Sequence, residues 1–116
     1  MEAAQPANSV PERLYRIVQH NPPTTADFLS HAAKGGARPA TAAPRNWSGV
    51  SLWSNRRLAE RLAIHAQEIG TWIACLDLTQ ATEIQIEKTG SRAHFNAWGA
   101  PGAFLPYIIE TTAVEA

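Results

Sequence analysis

The chain is short of the features that place a protein at a glance. It has one cysteine, Cys75, among 116 residues, which excludes an internal disulfide and any cysteine-based zinc cluster. The apolar neighbours Trp72, Ile73, Ala74 and Leu76 predict a buried, inert thiol, and a reducing cytoplasm is the expected compartment. No apolar run approaches the ~18 residues of a bilayer span, so no membrane partner is expected. Residues 1–8 carry neither a basic start nor an apolar stretch, so they are not expected to act as a secretory signal. Residues 1–9 read as a flexible tail. There is no GxGxxG, no Walker loop and no GxSxG. The histidines have no i, i+2 or i, i+4 pairing and no carboxylate triad nearby, so no metal is expected. Surplus charge is also missing: ten Lys and Arg balance ten Asp and Glu.

What is present describes one globular domain. The hydrophobic fraction is 45% and all four tryptophans lie after position 46, a composition that builds a core. The balanced charge is unevenly spread. Residues 34–61 hold Lys34, Arg38, Arg45, Arg56, Arg57 and Arg61 against Glu60 alone. Residues 62–116 hold Lys88 and Arg92 against Glu68, Asp77, Glu83, Glu87, Glu110 and Glu115. The basic 34–61 region either attracts phosphate or nucleic acid, or forms a solvated face opposite an acidic one.

The patterning predicts an α+β fold: a single small domain over 10–111, a mostly antiparallel sheet of five or six strands, and two helices. Residues 10–20 alternate as a first strand, stopped at Asn21-Pro22-Pro23. Thr24 or Thr25 caps a helix over 26–34, with Asp27 in its first turn and Gly35-Gly36 as its stop. Residues 35–47 form a long Gly/Ala/Pro loop. A strand over 50–53 runs into a helix capped by Ser54, with Leu58, Leu62, Ala66 and Ile69, helped by Ala59 and Ala63, as its apolar stripe and Gly70 as its end. His65 lies beside that stripe as a partly buried, hydrogen-bonded residue. Residues 71–78 are apolar on both faces and predict a central strand. Residues 83–88 and 92–98 flank a turn at 89–91 and predict a hairpin. Residues 103–111 form the last strand, at an edge because of Pro106, and 112–116 a tail.

Three places carry candidate chemistry. Arg16 sits in an otherwise apolar strand, where a guanidinium must pair, clamp phosphate or carboxylate, or face water from an edge. Ser51 follows Gly49 into its strand and either orients a ligand or bonds across strands. His94, Asn96 and Trp98 share one face of their strand, opposite Phe95, and predict a polar surface or cleft. There His94 is suited to acid–base work and Trp98 to stacking a base or a nicotinamide ring.

The segment Leu14-Tyr15-Arg16-Ile17-Val18, then Gly49-Val50-Ser51-Leu52-Trp53-Ser54 and a helix with spaced alanines (Ala59, Ala63, Ala66), resembles the first half of small bacterial ADP-ribosyltransferase-like toxins, including the RES-domain type. The resemblance covers about half the chain, and its motifs are short. In that superfamily an arginine or histidine on the first strand holds NAD. A serine or tyrosine near the second strand lines the nicotinamide pocket. Carried over, Arg16 would hold NAD phosphate or ribose and Ser51 the nicotinamide side; Trp53 and Trp98 are further candidate cofactor-binding residues, from outside that carry-over. The superfamily's late glutamate has two counterparts here, Glu87 in Gln85-Ile86-Glu87 and Glu110 on the last strand. The chain is shorter than the family usually is.

Three functions are open at this point. The first is an NAD-using toxin of a bacterial conflict system that transfers ADP-ribose or degrades NAD, partnered by an antitoxin or host target. It expects Arg16, Ser51 and Glu87 or Glu110 in one cleft. The second is a metal-independent ribonuclease or RNA-binding protein, with His94 as acid and base, Lys88 or Arg92 on the phosphate and the 34–61 region on the backbone. The third is a non-catalytic inhibitor, immunity or phage-encoded adaptor domain. It expects an exposed apolar patch around Trp47, Trp53 and the 35–47 loop.

Overall fold

The computed structural model describes residues 10–30, 32–35, 40, 47–89 and 93–114. The expected tail at 1–9, most of the 35–47 loop with Arg38 and Arg45, and the turn residues Gly90, Ser91 and Arg92 lie outside the described residues. The fold is α+β. Six antiparallel strands are arranged in the order β4-β5-β2-β1-β3-β6. They are β1 (Leu14–Val18), β2 (Val50–Trp53), β3 (Trp72–Leu76), β4 (Gln85–Lys88), β5 (His94–Trp98) and β6 (Ile108–Ala113). An α-helix, α1 (Arg56–His65), follows β2, and 3-10 helices span Thr25–Phe28 and Pro101–Tyr107. Among the described residues no helix is long and apolar enough to cross a membrane.

Alternation of side chains sends the apolar residues to both sides of the sheet. One face buries Leu14, Val18, Val50, Leu52, Ala74, Leu76, Phe95 and Ala97. It is closed by the two 3-10 helices, whose Phe28 and Phe104 stack with ring centroids 5.1 Å apart and planes 8° apart. Each ring is fully buried, worth roughly 2–3 kcal/mol of apolar transfer. On the other face Ala59 and Ala63 of α1 pack on Ile17 and Ile73.

Several local expectations change. The helix expected over 26–34 is a single 3-10 turn; Leu29 is already extended and 32–35 form a turn. Phe28, not a helical stripe, is what docks this segment. The cap of α1 is Asn55, whose side chain accepts from the Leu58 amide at 3.2 Å, rather than Ser54. The helix ends at His65, which is exposed. Its buried stripe is Ala59–Ala63 because small side chains let it lie close to the sheet. Leu62 and Ile69 are left 38% and 41% exposed. Residues 101–107 are 3-10 helix rather than strand, since Pro106 lacks the amide a ladder needs. The last strand therefore starts at Ile108 and takes in Thr112 and Ala113 from the expected tail. The β4–β5 hairpin and an interior β3 stand as expected.

Candidate functional site

The strand carrying Arg16 is interior, with β2 on one side and β3 on the other, so the edge-strand reading of Arg16 does not hold. The two flanks of β1 differ. It pairs with β3 along all five residues, but with β2 only at Tyr15↔Trp53. Beyond that bridge the strands part, and the Arg16 guanidinium fills the split. Its Nε donates to the Asp27 carbonyl at 2.9 Å, one terminal nitrogen to the Ser51 carbonyl at 2.9 Å, and the other to the Leu29 carbonyl at 3.4 Å. The Phe28 ring lies 6.0 Å beneath. Burial pulls the Arg16 pKa down to about 10, and the nearby Asp27 charge opposes the fall. Arg16 stays charged at neutral pH. A guanidinium carries five N–H groups, so three carbonyls leave donors for a ligand.

The split opens into a cavity of about 360 Å³ lined by Arg16, Ser51 and Trp53. Gly49 and Ser30 complete its polar wall, and Leu29, Leu62 and Ile69 its apolar wall. Lys34 is its second cation, and Glu68 is the carboxylate residue on its lining. Gln19 belongs to it too and is anchored by Nε2, which donates to the Glu68 carbonyl at 3.1 Å. A smaller cavity of about 90 Å³ shares Arg16, Gln19, Lys34 and Ile69 with the larger one. Two cations, several neutral donors and an indole wall suit a planar, anionic ligand.

Local sequence explains how these residues meet. Asp27 locks the segment after β1. Its carboxylate accepts from the Gln19 amide at 2.8 Å and the Thr24 amide at 2.9 Å, and lies 3.0 Å from His20 Nδ1. That holds the Asp27 and Leu29 carbonyls over Arg16. On the far side, Gly70 brings the end of the α1 segment onto β1. A Cβ there would lie 2.3 Å from the Val18 carbonyl oxygen, so only glycine allows the approach that seats Glu68 and Ile69 at the cavity.

The other anticipated residues are placed apart from the cavity. His94 touches it at one remove, packing edge-on against Trp53 with centroids 5.4 Å apart. Its Nδ1 lies 3.1 Å from Thr89 Oγ1 and 3.3 Å from the Thr89 carbonyl oxygen. Desolvation lowers the His94 pKa, the Thr89 carbonyl opposes this and Lys88 adds to it. Trp98 is half-buried and donates to Ser48 Oγ at 3.2 Å. Asn96, expected on a polar surface, is 3% exposed and presses on Gly49, because that glycine leaves room for its side chain.

Glu87 lies on β4, opposite Asn96, which in turn lies opposite Ser51. It is therefore two strand spacings, about 10 Å, from Ser51. Glu110 lies on β6, on the far side of β3 from Arg16, with its carboxylate 4.0 Å from Arg56. Neither lines the cavity. Lys88 lies 5.8 Å from the Phe95 ring on the outer strand. Trp47 and Trp53 are half-buried, and the exposed large apolar residues are instead Leu62, Ile64, Ile69 and Ile109.

Sequence reasoning missed Gln19, Ser30, Lys34 and Glu68 as cavity residues. Gly70 was the available signal, since a close approach at that position brings 66–69 back to β1. Among the described residues no group of three or more His, Cys, Asp or Glu is placed to hold a metal. The chain matches no family model, no curated protein and no solved structure.

Proposed function

We propose that the cavity binds NAD as a substrate and that the protein transfers ADP-ribose or degrades NAD, as a toxin of a bacterial conflict system. The observation that carries this is the meeting of Arg16, Ser51 and Trp53 on the wall of one 360 Å³ cavity. Arg16 and Ser51 are the residues the resemblance assigns to NAD, and Trp53 is the further cofactor-binding candidate beside them. The volume is at the small end of the roughly 300–1,000 Å³ of ligand pockets, enough for a nicotinamide riboside half. Arg16 and Lys34 meet the pyrophosphate, Trp53 offers a flat face to the nicotinamide, and Ser51 orients its amide. Breaking the glycosidic bond releases neutral nicotinamide and leaves an oxocarbenium-like ribose. A carboxylate beside it lowers that barrier, and water or a target nucleophile completes the exchange. Glu68 takes this role, in place of Glu87 and Glu110.

The test is a ligand-observed titration of NAD followed by an NAD-turnover assay. Wild type binds and turns over NAD, Lys34→Ala binds less tightly, and Glu68→Gln binds without turnover. No binding at millimolar NAD removes the proposal. In that case the exposed Leu62 and Ile69 at the cavity favour the second reading, a non-catalytic domain whose partner inserts an acidic, apolar segment there.

A further inference from the structure

The sheet has two edges, and they are built differently. β4 has only four residues, and Glu87 and Lys88 occupy its second half. Short length and charge are the usual protections against edge-to-edge pairing. β6 is the longest strand, with six residues, Ile-Ile-Glu-Thr-Thr-Ala, and contains no lysine, proline or glycine. Among the described residues no strand pairs with its outer side. Ile109 is 50% exposed on it, the most exposed of the large apolar residues. Five of its six residues, two Ile, two Thr and Ala, are uncharged, and four of them are β-branched, the side chains that suit a paired strand.

The charges around β6 specify what fits. On the face that carries α1, Glu110 lies opposite Cys75 and Thr112 opposite Ile73. Arg56 of α1 donates to Thr112 Oγ1 and comes within 4.0 Å of Glu110, whose side chain is 59% exposed. Arg56 also lies 3.5 Å from Glu60 on its own helix, so the edge presents Glu110 and, two positions along at Thr112, a guanidinium shared between two carboxylates. Such an edge is complementary to its own antiparallel copy. With Thr111 on the two-fold axis, Glu110 of one copy lies opposite Thr112 of the other, beside that copy's Arg56, and the contact occurs twice. Ile109 is the extra residue where the β3–β6 register shifts between Cys75 and Leu76, and its half-exposed side chain flanks the paired segment. A one-pair shift that puts Glu110 opposite Glu110 sets like charges face to face, which is unfavourable.

We infer that β6 is a homodimerisation edge: two copies pair antiparallel through the regular part of the strand, 110–112, with Thr111 at the axis, forming a continuous twelve-stranded sheet. The two-fold axis is perpendicular to the sheet, so both α1 helices and both NAD cavities lie on one side of the joined molecule. The interaction is isologous, with the same patch used by both copies. It involves none of the cavity residues.

Sedimentation equilibrium of the full chain, from about 5 to 500 µM, tests this; the range brackets the weak affinities usual for small interfaces. The apparent mass should rise from 12.6 kDa towards twice that value. Ile109→Lys should abolish the rise with an unchanged circular dichroism spectrum, because a lysine on an exposed edge position blocks pairing. Glu110→Arg should weaken association about tenfold, and combining it with Arg56→Glu should restore it. A monomer throughout overturns the inference. So does association that Ile109→Lys leaves intact, or a double variant no tighter than Glu110→Arg alone.

Discussion

Arg16 donates to the main-chain carbonyl of Ser51 at 2.9 Å across strands that pair at only one position. That bond gives Arg16 a structural role beside its place on the cavity wall, and the structural role can be measured by itself. Arg16→Ala strands the Asp27, Ser51 and Leu29 carbonyls together. Urea unfolding should show a loss of about 2–4 kcal/mol. A change under about 0.5 kcal/mol, the scale of a plain surface substitution, would mean that water satisfies those carbonyls.

Lys34 is exposed and lines both cavities. Lys34→Ala should leave the melting temperature within about 1 °C, as expected for an exposed charge. NAD affinity should fall several-fold, most clearly at low salt where screening is weak. Equal affinity in the two proteins places the pyrophosphate elsewhere.

Gly70→Ala puts a Cβ 2.3 Å from the Val18 carbonyl oxygen. Backbone has to move, and a loss of about 3 kcal/mol or more is expected in thermal or urea unfolding. Crystals of the variant should show Glu68 and Ile69 drawn away from β1. A variant as stable as wild type would mean that the 66–70 turn yields freely.

His94 has a folded pKa below its ordinary value of 6.5. The unfolded chain then takes up a proton more readily than the folded one. The stability contribution is fully present above about pH 6.5 and is lost as pH falls through the folded pKa. Urea midpoints between pH 7.5 and 5 should therefore fall more steeply in wild type than in His94→Gln. Parallel slopes for the two proteins would assign the acid sensitivity to other groups.

Cys75 is 5% exposed and burial pushes its thiol pKa up. Reaction with a thiol reagent should be slow in the native state and fast in urea. Fast native labelling would mean that β3 opens locally.

Much of the sheet was legible because strand signals are local. Leu14–Val18, Val50–Trp53, Trp72–Leu76 and His94–Trp98 each announce themselves by apolar alternation or an apolar run between breakers. The segments that failed depend on distant partners. Thr25–Phe28 looks helical in isolation, but Phe28 has to meet Phe104, 76 positions on, and a 3-10 turn achieves that contact. The stripe Leu58–Leu62–Ala66–Ile69 has good helical spacing. Ala59 and Ala63 belong to that stripe as helpers; close approach to Ile17 and Ile73 makes them its buried members, and spacing alone does not rank small residues above large ones. Arg16 and Ser51 were identifiable as a polar pair in apolar strands. The cavity carboxylate was not, since Glu68 arrives through the Gly70 approach and has no motif around it.

The sheet is joined at its middle by one residue pair and one side chain. β4-β5-β2 and β1-β3-β6 are each laced along their length, while across the seam the polar links are Tyr15↔Trp53 and the Arg16 contacts, above an apolar core that both halves share. Thermal motion at that seam breaks few ladder bonds, so those amides of Val50–Leu52 that face β1 should exchange with deuterium ahead of those of β3. A ligand that bridges the halves would act as an extra stitch, coupling occupancy of the cavity to the rigidity of the whole molecule.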